Sequence, residues 1–174
     1  MPTPPGLRQL LPAIPPILMS GWTIDTPTTS LNTVRIFNST DAVMGTVGWV
    51  PAQTGVPFAV IWAENVTDSV PEPNRVWAVY GVRIFLGVEH ADTPLVNENY
   101  NDLALAWLES ARQVIASNRR VGFVGTDLFP VSGDTRWEMC SGSIVTHRTV
   151  MGTPWYGVEI LTKLSISILV DFQS

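Results

Sequence analysis

The sequence predicts an α+β domain: a mixed, mainly antiparallel β-sheet with one long helix packed across it and a short N-terminal helix. Three observations predict this class. Residues 76–88 are apolar at both strand parities, residues 158–172 alternate cleanly, and residues 100–118 repeat apolar side chains every three or four positions. The links between strand candidates are short or hairpin-like, which favours antiparallel pairing. Residues 1–174 are predicted to form a single domain.

The N-terminal half begins with proline-rich segments. Thr3 and two prolines before "GLRQLL" predict a short helix that ends before Pro12, and "AIPPILMSGW" is interpreted as a proline-bent connector. The segment "TVRIFN" predicts a short strand over 33–38. Residues 38–55 are rich in glycine and turn residues, so they predict a projecting loop or hairpin.

Two central strands are predicted next. "PFAVIWAE" (57–64) and "VWAVYGVRIFLGV" (76–88) are apolar on both parities, and Arg83 is the one charge in the second. Because successive side chains of a strand point to opposite faces, both faces of residues 76–88 need cover. We expect the 100–117 helix to cover one face, and an N-terminal element or a neighbouring subunit to cover the other.

The helix and the last strand have the clearest patterns. In "YNDLALAWLESARQVIASN" the apolar stripe is centred on Trp107, and Asn118 is a suitable C-terminal residue. Residues 121–157 are punctuated by glycine and are interpreted as an irregular β-rich insertion that contains "EMCSGSIVTHRTV". In "VEILTKLSISILVDF" one parity is apolar except at Thr162, so this strand has one core face.

Composition favours an oligomer. The chain is 45% hydrophobic and only 14% charged, so few charged side chains cover the surface of a monomer.

A net charge of −5 disfavours sequence-independent nucleic-acid binding, which needs an excess of lysine and arginine. Cys140 is the one cysteine, so an intrachain disulfide is excluded, as is usual in a reducing compartment. The sequence has no run of about 18 apolar residues, so we expect no membrane association.

Candidate residues for chemistry are few. His90, His147 and Cys140 each lack the neighbours that a metal site or a nucleophile needs, and Cys140 is interpreted as a small buried thiol. We therefore expect no catalytic residue, no cofactor and no metal. The carboxylates near 127–138 (Asp127, Asp134 and Glu138) keep one enzymatic alternative open.

Charge is unevenly distributed along the chain. Acids dominate from Glu64 to Glu109 and arginines dominate from Arg112 to Arg148. Two ordinary solvated faces would explain this, but complementary patches of a head-to-tail subunit contact would explain it too. In that case we expect a subunit interface formed by Arg119 and Arg120 on one subunit and by Glu98 and Asp102 on its neighbour.

The order of these segments resembles a known family. "LRQLLPAIPP", "VPFAVIWAE", a long apolar strand, a helix with a central tryptophan and "PWYGVEILTKLSISILV" follow one another as in the tail terminator (tail completion) proteins of tailed bacteriophages, from about residue 7 to 172. The resemblance implies a structural, non-enzymatic virion protein of the tail or neck, assembled in the host cytoplasm. It implies a homo-oligomer, a hexameric ring that caps the tail tube and joins it to the head connector or adaptor. DNA would only pass through the lumen.

Two alternatives remain. The first is another neck protein, such as a head-closure or adaptor component, or a tail-tube-like ring subunit. The second belongs to a different class: a small cytoplasmic α+β enzyme that uses the carboxylates near 127–138.

Overall fold

A computed structural model shows an α+β fold. It describes residues 11–20, 33–37, 57–68, 75–90, 100–119, 135–150 and 152–169. Two helices and five strands follow one another in these ranges, after a short 3-10 turn. The elements are the 3-10 turn Leu11–Ala13, α1 (Ile14–Ser20), β1 (Thr33–Phe37), β2 (Phe58–Asp68), β3 (Arg75–His90), α2 (Tyr100–Ser117), β4 (Thr135–Val150) and β5 (Thr153–Leu169).

The five strands form one sheet in the order β1-β2-β3-β5-β4. β1 pairs with β2 in parallel, and every other pair is antiparallel, so the predicted mixed, mainly antiparallel character is confirmed. β4 and β5 form a hairpin connected at 151–152, where Gly152 has φ 81°. Glycine suits this position because other residues adopt a positive φ only with strain.

Both helices lie on the same face of the sheet. Trp107, Ala111 and Val114 of α2 join the same buried cluster as Ile14 and Leu18 of α1. Val82, Ile84 and Leu86 contribute to this cluster from β3, so the prediction that the 100–117 helix covers one face of residues 76–88 is confirmed. The expectation that an N-terminal element covers the opposite face is wrong for α1, the N-terminal helix that the structure describes.

The position of α1 also corrects the N-terminal prediction. The segment interpreted as a connector, "AIPPILMSGW", contains α1, with Pro15 and Pro16 in the first helical turn. Proline is compatible with that turn, because the first backbone N–H groups of a helix have no intrahelical partner. Ile14 and Leu18 are fully buried at a spacing of four residues, and this apolar pair anchors the helix to the sheet. The helix predicted before Pro12 lies largely outside the described residues.

β4 is more regular than expected. The predicted insertion over 121–157 contains a 16-residue strand, β4, that pairs with β5 along most of its length. Register shifts at Met139/Ser141 and at Val145/Arg148 accommodate two irregularities without ending the ladder. Cross-strand pairing therefore outweighs the local glycine signals of this segment. The predicted loop at 38–55 lies outside the described residues.

α2 runs antiparallel to β4 and covers it. The backbone N–H of Trp137 donates to the carbonyl of Arg119 at 2.6 Å, next to the C-terminal end of α2. Further along, Leu108 packs over Gly142, where an added Cβ would lie only 2.3 Å from the leucine methyl group. The glycine inside β4 thus leaves room for the Leu108 side chain of the helix.

One polar group interrupts the core under the helices. Thr162 is fully buried, and its hydroxyl accepts a hydrogen bond from Trp137 Nε1 at 3.0 Å. The same hydroxyl donates to the carbonyl of Val82 at 2.9 Å. Thr162, the one polar residue on the core face of β5, therefore has a partner both as a donor and as an acceptor. These two hydrogen bonds offset the cost of burying its hydroxyl.

The opposite face of the sheet carries an aromatic cluster. Phe58, Phe85 and Trp155 are fully buried and meet edge to face, with centroids 5.0 Å apart for Phe58–Trp155 and 6.3 Å apart for Phe58–Phe85. The ring of Phe58 lies 2.3 Å from the position that a Cβ of Gly87 would occupy. Glycine inside the β3 strand makes room for this ring.

Candidate functional site

The residues predicted to form a subunit interface occupy opposite ends of α2, as far as the structure describes them. Asp102 is exposed in the first turn of the helix, and Arg119 is exposed just after its end. Seventeen residues at 1.5 Å each place the two about 25 Å apart, so they do not pair within one chain. Glu98 and Arg120 lie outside the described residues.

The end of α2 is fixed by its own capping residue, as predicted. The backbone N–H of Asn118 bonds to the carbonyls of Val114 and Ile115, and its side-chain amide donates to Val114 at 2.8 Å. The next residue, Arg119, is tied to β4 through its carbonyl. The helix therefore ends at a rigid point, and the guanidinium of Arg119 is presented from a defined place on the surface.

A second feature of α2 was not predicted from the sequence. Its outer face carries exposed residues at alternating spacings of three and four, which keeps them on one stripe. Leu105 is 45% exposed and is one of two large apolar side chains exposed in the described part of the chain. The stripe, called the α2 seam below, consists of Asp102, Leu105, Glu109, Arg112, Ala116 and Arg119.

A row of alternating charges crosses the face of the sheet opposite the helices. Arg83 of β3 forms salt bridges with both Glu64 of β2 and Glu159 of β5. Glu159 also pairs with Arg148 of β4, at 3.3 Å. The row thus follows the strand order β2-β3-β5-β4 with alternating sign and no net charge. We call these four residues the charge row.

The charge row is an intrachain network that keeps Arg83 charged. Burial lowers the pKa of Arg83, but the hydrogen bonds that it donates to Glu64 and Glu159 outweigh this, so the pKa of Arg83 is raised above its ordinary value. The guanidinium therefore stays charged below that raised value, and its stabilising contribution is lost only as the pH rises above it. Arg148 also lies over the ring of Trp62, with Cζ 5.2 Å from the ring centroid, so the edge strand is attached to β2 across the row.

The sequence indicates two of the four residues of the charge row. Arg83 is the one charge in the apolar segment 76–88, and Glu64 ends the apolar run of β2, where the register shifts between Ala63 and Asn65. Their partners Glu159 and Arg148 come from strands that are distant in sequence. Glu64 lies in the acidic stretch of the sequence and Arg148 in the basic stretch, and the structure joins them in one intrachain network.

The residues considered for chemistry are not brought together in the described part of the chain. Glu138 is exposed on β4, whereas Asp127 and Asp134 lie outside the described residues. Cys140 is exposed at the first register shift of β4, which corrects the expectation of a buried thiol. Among the described residues, no group of three histidine, cysteine, aspartate or glutamate side chains is arranged to hold a metal ion. No described helix is both long and apolar enough to cross a membrane.

The described surface therefore offers two features for recognition: the charged α2 seam and the largely satisfied charge row. Arg83 and Glu159 already bond to each other, so the row has little capacity left to bind a ligand. The seam residues have no such intrachain ion pairs in the described ranges, and they are free to meet another molecule. Comparison with protein-family models gives no match, and no curated protein matches significantly.

Proposed function

We propose that this chain is a structural subunit of a ring that caps the tail tube of a tailed bacteriophage and joins it to the head connector. The observation that carries the proposal is the placement of opposite charges at the two ends of α2. Asp102 and Arg119 are exposed, about 25 Å apart, and unable to neutralise each other within a subunit. A neighbouring subunit in a head-to-tail arrangement would pair them.

The order of the elements supports the same proposal. The resemblance to tail terminator proteins rests on a short helix, a strand that follows a proline, a long strand, a helix centred on tryptophan and a closing strand. The last four of these elements occur in this order among the described residues, as β2, β3, α2 and β5, whereas the short helix predicted before Pro12 lies largely outside them. In this proposal the subunits form a hexamer, with the tail-tube protein on one side of the ring and the head connector or adaptor on the other.

A head-to-tail contact gives a closed ring when the rotation between neighbouring subunits divides a full turn, and an open filament when it does not. A head-to-tail contact uses two different surfaces of each subunit, so every subunit added leaves one of each free until the ring closes. Arg119 and Arg120 on one subunit, and Glu98 and Asp102 on its neighbour, would supply the two surfaces. A ring of this kind would be non-enzymatic and would let DNA pass without specific binding.

The test is charge reversal at one of the two surfaces. Arg119→Glu combined with Arg120→Glu should abolish ring formation, measured by native mass spectrometry and negative-stain electron microscopy, because like charges then face each other. Adding Glu98→Arg and Asp102→Arg in the same chain should restore assembly. The control is Lys163→Glu, an exposed charge on β5 whose strand parity places it on the face of the sheet opposite α2. Rings of unchanged size from the double-glutamate variant would refute this contact.

A further inference from the structure

The α2 seam is complementary to itself when it is read in reverse. From its N-terminal end the seam reads acid, Leu105, acid, Arg112, Ala116 and Arg119, with the acids Asp102 and Glu109. Acids thus occupy one half of the helix and arginines the other. Reversing the direction places every acid opposite an arginine, and Leu105 opposite the small Ala116.

We propose that two copies of this chain associate through the α2 seam, with the two helices antiparallel about a twofold axis near the middle of α2. In this arrangement Asp102 faces Arg119 of the second copy, and Glu109 faces Arg112 of the second copy. Leu105 packs on Ala116, which is small enough to admit it. Each of these contacts occurs twice by symmetry, which gives six layers along the pair of helices.

The spacing of the seam fits helix pairing. Steps of three and four residues are the repeat that keeps one stripe in contact with a partner helix. The parallel arrangement is disfavoured, because it would place Asp102 against Asp102, Glu109 against Glu109 and Arg112 against Arg112. Charge pattern therefore selects both the partner, which is a second copy, and the orientation, which is antiparallel.

The contact is expected to be weak and sensitive to salt. Only Leu105 and Ala116 contribute apolar surface, and one helix pair buries less than the roughly 1,200 Å² at the lower limit of stable interfaces. Exposed ion pairs are screened at a Debye length of about 10 Å in 0.1 M salt. The pair therefore forms at low ionic strength and high protein concentration, and dissociates as salt is added.

The twofold contact does not rest on the ring proposal. It uses Asp102 and Arg119, the same side chains that a head-to-tail ring would use, so one subunit cannot make both contacts with them. If rings form, the twofold pair is the state of subunits outside a ring, and ring assembly would have to break it. If rings do not form, the twofold pair is unaffected.

The first experiment measures self-association of the full chain by sedimentation equilibrium at about 50 mM and about 500 mM salt. We expect a monomer–dimer equilibrium whose association constant falls about tenfold or more at the higher salt. Arg112→Glu, which places two glutamates face to face twice, should lower the association constant at low salt by about tenfold or more. Combining it with Glu109→Arg restores opposite charges and should return the constant to within about threefold of the wild type. Lys163→Glu, with the same change in net charge as Arg112→Glu, should leave it unchanged.

The second experiment tests the orientation by cross-linking single cysteines in a Cys140→Ser background. In the antiparallel pair, the two Gln113 positions are about 8 Å apart along the helix axis and the two Ala116 positions about 16 Å apart. A short bifunctional maleimide should therefore cross-link Gln113→Cys dimers much more efficiently than Ala116→Cys dimers. Equal efficiency at both positions would indicate parallel helices and would overturn the proposal.

Three further outcomes would overturn it. These are a chain that stays monomeric at low salt, a dimer whose association constant Arg112→Glu does not change, and a Glu109→Arg/Arg112→Glu variant that folds but does not regain association. Circular dichroism of each variant establishes that it is folded. Rings formed without any dimer would refute the twofold contact while supporting the ring, so the two proposals fail separately.

Discussion

Replacing Thr162 by valine tests how the core beneath α2 is held together. The side chains have similar volumes, so the substitution removes the hydroxyl without opening a cavity. Trp137 Nε1, which now donates to that hydroxyl at 3.0 Å, would be left buried without its acceptor. The carbonyl of Val82 would lose the hydroxyl as a donor at 2.9 Å. A buried donor left unsatisfied costs about 1–3 kcal/mol, so we expect a loss of about 2 kcal/mol in the free energy of unfolding.

Urea denaturation measures this loss directly. For an m-value of about 2 kcal/mol/M, the midpoint should fall by about 1 M. Thr149→Val is the matched control, because Thr149 is exposed on β4 and its replacement should change stability by less than about 0.5 kcal/mol.

A double-mutant cycle isolates the hydrogen bond itself. Trp137→Phe removes the donor, so Thr162→Val should cost about 1–2 kcal/mol less in that background than in the wild type. Two results would show that this hydrogen bond does not stabilise the core. One is that the losses of stability in Thr162→Val and Trp137→Phe simply add in the double variant, and the other is a urea midpoint of Thr162→Val equal to that of Thr149→Val.

Three further substitutions test other parts of the fold. Trp107→Ala should lower the free energy of unfolding by about 3–5 kcal/mol, because it empties a large, fully buried site; a thermal transition unchanged from the wild type would place the helix elsewhere. Gly157→Ala should destabilise the protein more than Gly142→Ala does. The new Cβ at position 157 would lie 1.9 Å from a backbone oxygen, whereas the new Cβ at position 142 would meet the movable ends of side chains. A lower urea midpoint for Gly142→Ala than for Gly157→Ala would contradict this packing. Arg83→Met should lower the free energy of unfolding by about 1–2 kcal/mol, a value discounted for the partial exposure of the charge row. The difference in stability between this variant and the wild type should be smaller in 1 M salt, because salt screens the charges. A difference in stability that does not depend on salt would argue against a charge network.

Elements with a strong local period were predictable from the sequence. The stripe around Trp107 predicted α2 to within a residue at its end, because Asn118 supplies the cap. The alternation in 158–172 predicted the core face of β5, and Thr162 was recognised as its one interruption. In each case the local pattern and the tertiary environment agree, so the pattern was sufficient.

Elements that depend on distant partners were not predictable. The prolines of α1 predicted a connector in place of a helix. Only the burial of Ile14 and Leu18 against the sheet explains why a helix forms there. Cys140 was expected to be buried, but a register shift in β4 leaves it exposed, and such shifts depend on the partner strand.

The candidate surfaces, too, were predictable only where they depend on local sequence. Asp102 and Arg119 were identified from the charge distribution along the chain, but their separation by the length of α2 needed the helix bounds. The charge row joins Glu64, Arg83, Glu159 and Arg148 from four strands, and the sequence does not specify which strands are adjacent. The resemblance to tail terminator proteins suggested a role for the chain but did not indicate either of these arrangements.

The central claim is that the chain is a structural subunit that assembles into a closed ring. Native mass spectrometry of the full chain, combined with class averages from negative-stain electron microscopy, tests it most directly. We expect a species of six subunits with a central opening, and we expect Arg119→Glu/Arg120→Glu to remove it. Monomers and dimers alone, at every protein concentration and in the presence of a tail-tube protein, would contradict the claim.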